Sequence, residues 1–136
     1  MALIFGAHVH GLSGDPALAE DYANRALRLS PFDPLGWEAY LALGMVRMSA
    51  RCFDEAASFF SKGMQANPRF STHYAFQAGA LALAGRVEEA KSVTHRVLEL
   101  EPSFRIRPLV EFFSRFTRPG LIKDLADGLR LAGLPE

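Results

Sequence analysis

Hydrophobic positions along this chain fall into two kinds of segment that alternate. In 16–30, 53–67 and 87–101, apolar residues return every three or four places with charged residues between them, as in a helix with one buried face. Segments 1–13, 34–49 and 71–84 are apolar nearly all round: the first and third hold no Asp, Glu, Lys or Arg, and the second holds Glu38 and Arg47. The amphipathic segments carry the charge, as Glu20, Asp21, Arg25 and Arg28, then Asp54, Glu55 and Lys62, then Glu88, Glu89, Lys91, Arg96, Glu99 and Glu101. No window alternates with period two for long, so helices are expected and strands are not. Beyond them, Ser103 to Thr117 predicts a helix with Pro108 near its start, broken by Arg118-Pro119-Gly120. A last helix over about 120–132 has Leu121, Ile122, Leu125 and Leu129 on one face, Lys123, Asp124, Asp127 and Arg130 on the other, and Gly133 as its stop.

The alternation is a repeat. Three amphipathic segments end alike, at Leu29-Ser30-Pro31, Ala66-Asn67-Pro68 and Leu100-Glu101-Pro102; Pro68 and Pro102 stand 34 apart, Pro31 and Pro68 37 apart. The surplus is assigned to Pro34-Leu35-Gly36. Ala19, Ala56 and Ala90 each lie twelve residues before the closing proline, after a turn. Asp15-Pro16 reads as a helix cap and first helical residue, and the acidic pairs Asp54-Glu55 and Glu88-Glu89 suit a helix dipole.

The period, the helix pairing and these anchors resemble the tetratricopeptide repeat. The second unit supplies Tyr40, Leu43, Gly44, Ala56, Phe60 and Pro68, and the third Tyr74, Ala78, Gly85, Ala90 and Pro102. The first has Leu3 for the aromatic and keeps Gly14, Ala19, Ala26 and Pro31; Ala23 and Thr94 stand where the second has Phe60. The resemblance covers about residues 1–104 and implies an all-α fold. That fold is a right-handed superhelix of three helix-turn-helix repeats, at about 1–33, 34–70 and 71–104, closed by capping helices over 105–136. In such arrays the first helix of each unit lines a concave groove, which here would present Ile4, His8, Leu41, Met45, Met48, Ala75, Gly79 and Ala82, with Leu109 and Phe113 from a fourth layer. Those residues suit an apolar occupant: an amphipathic helix, the chain's own tail or a second copy. They do not suit a peptide carboxylate held by Lys, Arg and Asn. The alternative is that these residues simply pack on their neighbours.

Composition narrows the classes. Among 136 residues, 49% are hydrophobic and 22% charged, which excludes a disordered tail. Fifteen basic residues against fifteen acidic ones leave no net charge to draw the chain to nucleic acid or anionic lipid. No apolar run reaches the roughly 18–20 residues of a membrane helix. A single cysteine allows neither an internal disulfide nor a cysteine-based metal cage, and the start lacks a basic leader. Together these features point to the cytoplasm.

Candidate chemistry is sparse. His8 and His10 are two apart, on different helix faces, whereas metal pairs on a helix want a spacing of three or four. His73 and His95 are isolated, and Cys52 sits at a turn with no nearby histidine. Ser58 and Ser61 lack a Gly-x-Ser-x-Gly setting, and no phosphate-cradling loop follows a strand. No cofactor or metal is expected, and the chain reads as a non-enzyme. Arg105, Arg107, Arg115 and Arg118 cluster near Phe104, Phe112, Phe113 and Phe116; the helical spacing of Phe112 and Phe116 reads as core, and the arginines as a solvated edge or a contact for an acidic protein.

The first segment begins at Met1 without a polar cap, so Leu3, Ile4, Phe5 and Val9 call for cover. The expectations are a longer protein with an upstream part, or a homodimer through residues 1–13. The ending, Phe104-Arg105-Ile106 and then 127–136, resembles the C-terminal repeat region of rhizobial-type adenylate/guanylate cyclases and related bacterial signalling proteins, in which a cyclase or DNA-binding domain lies upstream. That resemblance implies a regulatory, non-catalytic segment that binds a protein, a peptide or its own upstream domains. A repeat region of a transcriptional regulator is the alternative.

Overall fold

A computed structural model describes residues 16–29, 36–115 and 119–136. Among them lie seven α-helices and no strand: α1 (Pro16–Leu29), α2 (Trp37–Ser49), α3 (Phe53–Ala66), α4 (Ser71–Leu83), α5 (Val87–Leu100), α6 (Ile106–Phe113) and α7 (Pro119–Leu131). The expected helices at 16–30, 34–49, 53–67, 71–84 and 87–101 are there, the last three ending one residue early, while residues 30, 34 and 35 lie outside the described residues. The expected helix within 103–117 is shorter, because the chain runs extended through Arg105 and the helix stops at Phe113. The segment 1–13, with Ile4 and His8, lies outside the described residues, as do the linker 30–35 and 116–118.

From α1 to α5 each helix packs on the next, so that each hairpin stacks on its neighbour, α1 on α2 and α3 on α4. Of α1 to α5, the helices with least charge, α2 and α4, are the inner ones. In α2, Ala39 and every residue from Leu41 to Met48 except Arg47 are buried, and α4 is buried at His73 to Phe76, Ala78 to Ala82. The outer helices α3 and α5 bury only one stripe, Ala56, Ala57, Phe60 and Gly63 in one and Ala90, Thr94 and Val97 in the other. An apolar helix costs free energy wherever it meets water, so it is sandwiched, and its amphipathic partner takes the solvent side.

The tight turns share one device. After α2, α4 and α7 a residue with positive φ, Arg51 (60°), Gly85 (86°) and Gly133 (86°), reverses the chain. The backbone N–H of the following residue then reaches back five places: Cys52 to Arg47 O (2.9 Å), Arg86 to Leu81 O (2.9 Å), Leu134 to Leu129 O (3.1 Å). These are Schellman closures, which satisfy the last helical carbonyls. Glycine adopts that conformation without strain; Arg51 does so at a cost of about 1 kcal/mol.

Packing between units explains the aromatic anchor that occurs once. The Phe60 ring lies against the Cα of Gly44, where a Cβ would have no room. In the next unit Ala78 occupies the Gly44 position and Thr94 the Phe60 position, both buried, with Thr94 Oγ1 donating to Ala90 O at 3.1 Å. A methyl group on the inner helix and a smaller side chain on the outer one go together. Phe60 also stacks on Phe76 (5.5 Å between centroids), which meets Phe113 edge-on (5.1 Å), joining α3, α4 and α6. His73 is fully buried between Trp37 and Phe70, over Gly63, which makes it a packing residue.

Candidate functional site: the concave face and the helix that lies on it

Helices α2 and α4 carry the residues that the sequence assigns to a groove. The repeat brings residues 34 apart to equivalent places, so Leu41, Met45 and Met48 on α2 correspond to Ala75, Gly79 and Ala82 on α4. The sequence thus places three large side chains on one inner helix and three small ones on the next. That row of small residues is a slot.

Helix α7 occupies it. After α6 the chain turns back and lays α7 along α4, touching α2 more lightly. The crossing is close because both helices carry glycine at it: a Cβ on Gly128 would stand 2.5 Å from Gly79 O, and a Cβ on Gly79 would stand 3.2 Å from Leu125 Cδ1. Leu121, Leu125, Ala126, Leu129, Ala132 and Leu134 join Leu41, Met45, Met48, Ala75 and Ala82 in a single buried cluster. Spacing along α7 explains the fit, since Leu121, Leu125, Gly128 and Leu129 share one helical face. Burying a leucine this way stabilises by about 1.5–3 kcal/mol.

Two polar fastenings hold the helix at its ends. Arg51, at the strained turn, reaches Asp124 Oδ2 with Nη1 at 2.7 Å. At the other end the backbone N–H groups of Ile106 and Arg107 donate to Pro135 O (2.9 Å) and Glu136 O (3.0 Å), so the final residues cap the start of α6. Arg130 Nε donates to Glu136 Oε1 at 2.6 Å and holds that carboxyl below its usual range. The Arg51 side of the pair is exposed, so the pair contributes under about 1 kcal/mol; the apolar face supplies most of the hold.

The structure accordingly places the sequence-assigned groove residues as follows. Leu41, Met45, Met48, Ala75, Gly79, Ala82 and Leu109 are buried, Phe113 is half-buried, and Ile4 and His8 lie outside the described residues. Leu41, Met45, Met48, Ala75 and Ala82 share one buried cluster with α7, while Leu109 and Phe113 sit on α6 at the end of the stack. The seating of α7 depends on Gly79 and Gly128 meeting at the crossing, which no spacing within the sequence records.

The outer side is different. Between α3 and α5 runs a cleft of about 670 Å³, lined by Asp54, Ser58, Ser61, Lys62, Arg86 and Glu89 among others, with Gln77 from α4 as a neighbour. Arg86 links the units by meeting Asp54 Oδ1 (3.1 Å) and Glu89 Oε2 (2.7 Å), and the hydrogen bond from Arg86 keeps the Glu89 carboxyl below its usual range. A second link is Arg47, whose Nη2 lies 2.8 Å from Glu20 Oε1 and whose Nε lies 2.9 Å from Glu55 Oε2, with the guanidinium over Phe59. These are braces between helices. Cys52 is exposed at the start of α3, and among the described residues no group of His, Cys, Asp and Glu is placed to hold a metal ion. No helix among them is long and apolar enough to cross a membrane.

No family model matches the chain. It is 31% identical over 87 residues to the peroxisomal targeting signal receptor of Saccharomyces cerevisiae, a match over 64% of this chain and 14% of the receptor. Among solved structures, a mutant O-GlcNAc transferase of Thermobaculum terrenum superposes with a TM-score of 0.68 at 26% identity, over 77% of this chain and 20% of that one. The chain therefore spans a small part of each relative's length. The superposition agrees with the stacked helix pairs seen here: the described residues form a tetratricopeptide-like helical-repeat superhelix.

Proposed function

We propose that this chain is a protein-interaction module whose concave face takes an apolar, amphipathic helix, along the surface made by Leu41, Met45, Met48, Ala75, Gly79 and Ala82 and extended by Leu109 and Phe113. The observation that carries the reading is α7, an amphipathic helix already seated there in cis through a glycine-on-glycine crossing. A partner with the same register of apolar residues takes the seat of α7. The receptor among its relatives is, by its name, a protein that recognises a targeting signal, which accords with peptide binding. The reading treats residues 1–136 as one repeat domain with units at about 1–33, 34–70 and 71–104 and closing helices at 105–136.

Production of 1–115 and 116–136 as separate pieces tests this. The labelled second piece should bind the first saturably in fluorescence anisotropy, and Leu125→Asp with Leu129→Asp should abolish the binding. Absence of binding while the first piece retains its helical circular dichroism would sink the reading.

The finer assignment is the regulatory C-terminal part of a bacterial signalling protein such as an adenylate/guanylate cyclase, located in the cytoplasm. It is supported by the likeness of residues 104–106 and 127–136 to that class. A homodimer through residues 1–13, which would bring two upstream domains together, is supported by the uncharged, apolar character of that segment; light scattering after chromatography decides it.

A further inference from the structure

At the crossing of α7 and α4 the two helices are not equally constrained. A Cβ added to Gly79 would meet the end of the Leu125 side chain at 3.2 Å, and that end can swing aside. A Cβ added to Gly128 would stand 2.5 Å from Gly79 O and 3.0 Å from Gly79 C and Cα, all of them backbone atoms. They cannot yield without moving α4, which is held between α3 and α5. The host helix thus excludes even a methyl group from one position of the helix that lies on it.

The neighbouring positions of α7 are read as well. Leu125, three before the glycine, and Leu129, one after it, are 1% and 0% exposed, and Leu121, seven before it, is buried too. Asp124, four before the glycine, meets Arg51 Nη1 at 2.7 Å with its side chain only 19% exposed. A helix laid in the opposite direction would carry that carboxylate to the far side of the glycine, so the pair with Arg51 also fixes direction. Lys123 and Arg130 both pair with Asp127 on the outward face, where sequence is free to vary.

We propose that the seat of α7 selects its partner by a missing side chain. It takes an amphipathic helix with glycine at the crossing, leucine-sized residues seven and three places before it and one place after it, and a carboxylate four before it. Such a partner reads Leu-x-x-Asp-Leu-x-x-Gly-Leu, as 121–129 does. The proposal rests on the reading of this slot as a partner's seat and narrows that partner from any apolar helix to one class. Glycine is disfavoured inside helices, so few amphipathic helices present it, and a clash with all others is an effective source of specificity.

Two measurements on full-length chains test this. In the first, Gly128→Ala is introduced and hydrogen exchange is followed across 119–131. Alanine favours a helix interior over glycine, so a seat indifferent to this position would leave α7 protected as well or better. Exchange about tenfold or more faster across α7 is expected, with α2 to α5 protected as in the parent. In the second, Leu125→Asp/Leu129→Asp in the full chain frees the seat, and fluorescein-labelled peptides of sequence 116–136 are titrated against it. The parent peptide should bind saturably, the Gly128→Ala peptide about tenfold or more weakly, and the Asp124→Lys peptide about threefold more weakly at low salt. Helix propensity alone gives the alanine peptide the opposite sign, about fivefold tighter binding. Leu131→Ser, at a position 53% exposed, should alter binding by less than about threefold. Unchanged or slower exchange in the Gly128→Ala chain overturns the selection rule and leaves the partner reading standing. So does an alanine or Asp124→Lys peptide that binds as tightly as the parent. No binding of the parent peptide overturns the partner reading and the rule with it.

Discussion

The second and third helix pairs follow one plan with opposite choices of side-chain size. In α2–α3 the inner helix is bulky toward the concave side (Leu41, Met45, Met48) and bare toward its partner, where Gly44 receives Phe60. In α4–α5 the inner helix is bare toward the concave side (Ala75, Gly79, Ala82), where α7 lies, and carries a methyl group, Ala78, toward its partner, which supplies only Thr94. Interiors are close-packed, so volume absent from one face has to be supplied by something else. In one hairpin an aromatic ring supplies it, and in the other a whole helix does. An array that reads as uniform from its period is therefore specialised unit by unit.

That comparison breaks most visibly at the aromatic anchor. Phe60→Ala should destabilise by about 3–5 kcal/mol in urea denaturation, since it empties a cavity that Gly44 cannot fill. Thr94→Ala at the equivalent place should cost under about 1 kcal/mol, the loss of one intrahelical hydrogen bond being offset in part by alanine's helix propensity. Equal costs would mean that the two hairpins are not packed by different means.

Making the two concave faces alike is the next test. Gly79→Met gives α4 the side chain that α2 carries at the same repeat position. It should unseat α7 at an overpacking cost of about 1–3 kcal/mol, seen as accelerated hydrogen exchange across 119–131 with α2 and α3 still protected. Retained protection of α7 would show that the row of small residues is not what seats it.

The smallest effect belongs to the turns. Arg51→Gly removes about 1 kcal/mol of left-handed strain and also the pair with Asp124, worth under about 1 kcal/mol. The melting temperature should stay level or rise slightly. Asp124→Ala, which removes the pair and keeps the strain, should lower it slightly. The difference between the two variants isolates the turn from the fastening.

Much of the fold was legible before any coordinates. The charge asymmetry between alternate segments told inner from outer helices, because a helix with no polar face has to be covered on every side. The prolines and the glycines at 85 and 133 marked the ends, because they forbid or favour particular backbone angles. Arg51 escaped that logic: nothing in its side chain signals a positive φ, and only the closure of the turn imposes it.

Spacing and side-chain type also put Leu41, Met45, Met48, Ala75, Gly79 and Ala82 at equivalent places on two apolar helices, and all six are buried. The sequence left three occupants open, among them the chain's own tail. Which one lies there was decided by tertiary structure alone, because the seat of α7 depends on two glycines 49 residues apart meeting at a crossing, and no local pattern records that meeting.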